Sequence, residues 1–89
     1  MSYRLGEGVH ARDVGDELVI LDSAGDRYFG LNPSGVAVWR RVTSRGSVAD
    51  AERDLVEAYG IDEAAARADV SAVLEHLVSA GLLVAEEPA

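Results

Sequence analysis

His10 and His76 are the side chains best suited to move a proton or bind a metal near neutral pH. They lie far apart in the chain, one on a predicted strand and one on a predicted helix. Neither has the spacing of a metal motif such as H-E-x-x-H. Glu75 precedes His76, but adjacent residues on a helix do not share a face. Both histidines therefore read as structural or surface residues. The chain has no cysteine, which removes disulfides, thiolate nucleophiles and thiolate metal sites together. Ser23, Ser34, Ser44, Ser47, Ser71 and Ser79 have no supporting base in the sequence and suit turns, caps and surface. Gly25 and Gly30 are spaced like the ends of a phosphate loop, but no Lys-Ser/Thr follows, and a hairpin accounts for both. Asp22, Gly25 and Asp26 lack the alternating oxygen ligands and closing glutamate of a calcium loop. An enzyme needs groups with matched roles. The reading is of a chain with no catalytic residues, no cofactor and no metal, whose work is non-covalent.

The elements that would carry such work begin with a hairpin. Residues 17–21 form an apolar run bounded by acids, residues 22–26 a turn with Gly25 available for a left-handed position, and residues 27–31 the second arm. Alternation puts Phe29 and Leu31 against the helices and Tyr28 and Gly30 on the other face. Gly30 leaves one position bare and permits close backbone approach. Ahead of the hairpin, residues 1–8 read as a weakly ordered lead-in, 9–12 as a short strand and 13–16 as a turn. A sheet this small has an open edge, and an open edge binds another chain.

Helices follow. Asn32 is a predicted N-cap with Pro33 in the first turn, and the first helix runs to about Thr43. Val36, Trp39 and Val42 face inward with Val38 flanking, and Arg40 and Arg41 face outward. Ser47 with Asp50 resembles a capping box, and Val48, Ala51, Leu55 and Tyr59 make one stripe of a second helix ending at Gly60. Asp62 caps a third helix. Its Val70, Val73, Leu74, Leu77 and Val78 give the strongest periodic signal in the chain. Gly81 ends it, Leu82 to Val84 pack back or add a stub of strand, and 86–89 fray. The predicted fold is α+β: a three-stranded antiparallel sheet followed by three helices, in the outline of a winged helix-turn-helix.

The chain has 89 residues, enough for one domain, with an ordered core expected over about 9–84. Its formal net charge is -8, and all its basic residues are arginine. Such a surface repels phosphate backbones. No stretch has the length of a transmembrane helix and the start lacks a secretory pattern, so a cytoplasmic protein without membrane contact is expected.

The run Gly25-Asp26-Arg27-Tyr28-Phe29-Gly30-Leu31-Asn32, followed by Ser34-Gly35-Val36-Ala37-Val38-Trp39, closely resembles the PqqD-like family. Asp69-Val70 and Leu77-Val78-Ser79-Ala80-Gly81-Leu82-Leu83 agree with it. The resemblance covers roughly residues 9–84 and is greatest to the stand-alone, B1-type recognition proteins of lasso-peptide pathways. It implies a recognition element that binds the leader of a ribosomally made precursor and presents it to a separate leader peptidase of cysteine-protease type and to a cyclase. The resemblance also implies how: the leader adds as a strand to the third strand, here 27–31, and lies against the third helix, here 63–80. The expected peptide contacts are Arg27, Tyr28, Phe29, Gly30 and Leu31 on the strand, with Val70, Val73, Leu74 and Leu77 as an apolar wall and Arg67 and Asp69 as charged flanks. The four wall residues serve equally as core, and some must.

Two other readings stand beside this one. A recognition protein of another modified-peptide pathway, such as PQQ synthesis, would look the same. A winged-helix DNA-binding regulator shares the outline, but its reading helix would need basic residues and the third helix offers only Arg67.

Overall fold

Between Glu17 and Asp22 every second side chain is buried, and this segment is the central strand of the sheet. The computed structural model describes residues 2–15 and 17–86. Its elements are β1 (Ser2–Leu5), β2 (Val9–Val14), β3 (Glu17–Asp22), β4 (Arg27–Gly30), α1 (Pro33–Thr43), α2 (Val48–Tyr59), α3 (Glu63–Ser79) and β5 (Leu83–Glu86). The main sheet is antiparallel in the order β2-β3-β4. Ile20, opposite Ala11 and Phe29, points to the helices; Leu21, opposite His10 and Tyr28, points away. This is the predicted α+β architecture, with one addition.

The addition is a two-stranded antiparallel sheet of β1 and β5, pairing Ser2 with Glu86 and Leu5 with Leu83. The expected loose lead-in over 1–8 is thus a strand from Ser2, and Met1 lies outside the described residues. The pair is held by an Arg4–Glu86 ion pair at 3.2 Å and by the burial of Leu82 and Leu83 against the helices. Glu86, expected to fray, lies in β5; residues 87–89 are outside the described residues.

The helix starts follow the sequence. The Gly35 N–H donates to Asn32 Oδ1 at 2.8 Å, with Pro33 in the first turn. Ser47 and Asp50 form a reciprocal capping box, at 3.0 Å and 3.1 Å. The Ala65 N–H donates to Asp62 Oδ1 at 2.7 Å. α2 ends at Gly60 in the left-handed conformation, where glycine carries no Cβ penalty. Arg41 grips Asp54 through two bonds, at 2.7 Å and 2.8 Å, tying α1 to α2. The Arg41 pair holds the Asp54 carboxyl below the ordinary carboxylate range.

Ile20, Val38, Trp39, Val42, Leu55, Ala66, Val70, Leu74 and Leu77 lie in the core between sheet and helices. Val38 is fully in it rather than flanking it, and Val36 is half-buried. Tyr59 and Val78, expected on inward stripes, are 49% and 38% exposed because each lies at the margin of its helix's packed face. Two turns also differ from expectation. β2 runs on to Val14, so the turn before β3 is shorter than 13–16, with Gly15 left-handed and Asp16 outside the described residues. In the 22–26 turn the left-handed residue is Asp26, with φ 52°, and not Gly25. Gly25 is needed there for space: a Cβ on it would stand 2.9 Å from Asp22 Oδ2.

Candidate functional site

The main sheet has two edges, and they are built differently. β2 carries His10, Arg12 and Asp13, all exposed, and Asp13 pairs with Arg40 of α1. Charge of this kind discourages a strand from adding. β4 carries Tyr28, 73% exposed, and Gly30, which has no side chain. Among the described residues no strand pairs with the open side of β4.

That open side faces α3 across a groove. Gly30, Leu31, Asn32 and Gly35 line one wall, and Ala72, Val73 and His76 the other, around about 310 Å³. Arg27 closes one end. Its guanidinium donates to Asp22 Oδ2 at 2.9 Å and to the Ala80 carbonyl at 3.3 Å, and it sits 5.0 Å over the Phe29 ring. Arg27 thereby joins β3, β4 and the end of α3. The Arg27 hydrogen bond, with one from the Gly25 N–H, holds the largely buried Asp22 carboxyl below the ordinary range. At the other end the groove passes Asn32 into a hollow lined by Pro33, Leu55, Tyr59, Ile61 and Asp69.

This geometry divides the residues predicted for the site. Gly30, Leu31 and Val73 meet in the groove. Tyr28 stands beside it on the outward face, and Phe29 is half-buried against the core. Asp69 lies at the groove's far opening. Arg67 does not line the groove: it stands two positions before Asp69, about 200° around the helix from it, and lies on the α2 side, beside Glu52 and Arg53. Val70 and Leu77, both 0% exposed, belong to the core, as does Leu74 at 5%, which lines a separate hollow with Tyr3 and Val48. Arg27 donates to Asp22 and Ala80, with 53% of its side chain exposed. Asn32, Gly35, Ala72 and His76 were not expected there. The α3 members were nonetheless visible as spacing, since Asp69, Ala72, Val73 and His76 fall at i, i+3, i+4 and i+7.

The arrangement suits a non-covalent task. Main-chain groups of an edge strand bind an extended peptide, and pockets for alternate side chains select it. Among the described residues no group of three or more His, Cys, Asp or Glu is placed to hold a metal ion. No helix among them is long and apolar enough to cross a membrane. The exposed charges of α3 are Glu63, Arg67, Asp69 and Glu75, a poor match for a nucleic-acid backbone.

Residues 17–83 match the family described as coenzyme PQQ synthesis protein D, PqqD. The chain belongs to the PqqD family. The stretch shared with PqqD proteins runs from the start of β3 to the start of β5, so it contains both walls of the groove. Two solved structures share the PqqD fold seen here. One is a lasso peptide synthetase B1 complexed with the leader peptide, with a TM-score of 0.89 and 22% identity, over 96% of this chain and 100% of that one. The other is TbiB1 in complex with the TbiA(beta) leader peptide, with a TM-score of 0.85 and 21% identity, over 96% and 99%. No curated protein matches the sequence.

Proposed function

We propose that this PqqD-family chain binds the leader of a ribosomally synthesised precursor, of the lasso-peptide type, and delivers it to a separate leader peptidase and cyclase. The observation that carries the reading is the free edge of β4 facing α3 across an open groove. The leader lies there extended, bonded through its backbone to β4, with alternate side chains against Val73 and Leu31. The chain itself performs no bond-breaking step; it is a binding partner. Holding the leader raises the effective concentration of the scissile region at the peptidase that docks beside it. Both solved structures named above hold leader peptides, which supports this reading over other modified-peptide pathways.

The test is cleavage of the precursor by the separate leader peptidase encoded with it. Cleavage is expected to be fast only when this chain is present and the leader is intact. Equal rates with and without the chain would contradict delivery.

A further inference from the structure

The titratable and charged side chains of α3 are Glu63, Arg67, Asp69, Glu75 and His76. Glu63 and Arg67 line a hollow against α2, and Glu75 lines one with Tyr3 and Val48. Asp69 and His76 turn to the groove beside β4, Asp69 at its far opening and His76 in its wall. Of the residues lining the groove itself, His76 alone is ionisable. It is exposed, and among the described residues its imidazole has no hydrogen-bond or ion-pair partner.

These positions give the groove two unlike ends. Ala80 is one turn past His76 on the same face of α3, and its carbonyl accepts from Arg27. Arg27 and His76 therefore stand toward one end, and Asp69 stands at the other. Facing His76 are Arg27 from β4, paired with the buried Asp22 of β3, and Asp69 from its own helix; Asn32 and Gly35, at the start of α1, carry no charge. A helix rises about 1.5 Å per residue, so Asp69 lies about 10 Å from His76 along α3 and about 16 Å from Ala80. A strand rises about 3.3 Å per residue and points every second side chain to one face, so two of its side chains four residues apart span about 13 Å. Such a pair reaches both ends of the groove.

We propose that His76 and Arg27 form an anion-receiving end of the groove and Asp69 a cation-receiving end, so that the groove selects peptides carrying an acidic side chain four residues after a basic one. The proposal rests on the leader binding as a strand along β4. Every strand pair in the main sheet is antiparallel, and β4 runs from the Arg27 end toward the Asp69 end. A leader that continues the pattern runs the other way, with its basic residue at Asp69 and its acidic residue at His76. The charge order thereby fixes the direction and register of the strand, because the reversed order sets acid against Asp69 and base against Arg27. Histidine changes charge between about pH 5 and about pH 8, so the His76 end holds a carboxylate more strongly at the lower pH.

The experiment is selection from a displayed library of random linear peptides, on the wild-type chain, on His76→Glu and on Asp69→Arg. Both positions are exposed on a helix and both new residues favour helices, so the variants are expected to melt close to wild type. The wild-type chain is expected to enrich Asp or Glu four residues after Lys or Arg. His76→Glu is expected to lose the acid and Asp69→Arg the base, and each to bind the wild-type consensus peptide about tenfold more weakly. By fluorescence anisotropy that peptide, labelled, is expected to bind wild type about threefold more tightly at about pH 5.5 than at about pH 8, and His76→Gln equally at both. If all three chains enrich the same charges, or none at these positions, or if wild-type affinity is the same at both pH values, the polar groove is wrong while strand addition stands. If no peptide is enriched on the wild-type chain, or the amide shifts produced by the selected peptide avoid β4, strand addition fails and the polarity with it.

Discussion

Val73 and Leu77 sit one turn apart on α3 and face different surroundings. Val73 is half-buried in the groove wall, and Leu77 is enclosed in the core. Val73→Asp is expected to leave the melting transition close to wild type and to weaken leader binding about tenfold or more, because a carboxylate in the groove loses water without gaining a partner. Leu77→Asp is expected to unfold the domain, since a buried unpaired charge costs more than a small domain's margin of about 5 kcal/mol permits. Thermal melts and fluorescence anisotropy separate the two, and a folded Val73→Asp that binds normally would refute the groove. The apolar stripe of α3 was readable in the sequence, because periodicity marks a face. Which margin of that face stays uncovered was not readable, because it depends on where β4 comes to lie. The same reason explains Arg67, which turns to α2, and His76, which lines the groove despite looking like an ordinary surface residue. The bonds of Arg27 to Asp22 and Ala80, from two other elements, were not readable either, because they depend on how the strands and α3 come together.

β4 has only four residues, with one side bonded to β3 and the other open. Successive backbone N–H groups of a strand point to opposite sides, so one of Tyr28 and Phe29 donates toward β3 and the other toward the open edge. Proline removes that donor. Tyr28→Pro and Phe29→Pro are therefore expected to behave differently. One keeps the fold, by circular dichroism and thermal melting, and loses leader binding; the other loses the hairpin as well. Normal binding by the folded variant would exclude edge addition. The hairpin and all three helix starts were legible because their signals are local: Asn32-Pro33, Ser47 with Asp50, and Asp62 each act within one turn. The β1–β5 pair was not legible as a sheet. Each strand has four residues, and the partner of each lies at the opposite end of the chain, so no short-range pattern encodes the pairing.

Charge and topology together restrict what the domain can hold. A net charge of -8, with five of the eight arginines in ion pairs to Asp13, Asp22, Asp50, Asp54 and Glu86 among the described residues, is a poor match for a nucleic-acid backbone. The β1–β5 sheet ties the described ends of the chain together and is separate from the β2-β3-β4 sheet that carries the open edge. Among the described residues the edge of β4 is open, bounded by α3, bridged to the end of α3 by Arg27 and continuous past Asn32 with a second hollow. The PqqD family assignment covers both walls of this groove. The most direct measurement is an amide NMR titration of the folded chain with a synthetic peptide spanning the leader of the precursor encoded beside it. Saturable binding, with the largest shifts at Tyr28, Phe29, Gly30 and Leu31 on one wall and at Ala72, Val73 and His76 on the other, is the predicted result. Shifts confined to β2 or to the α2 face, or no shifts at all, would contradict the account.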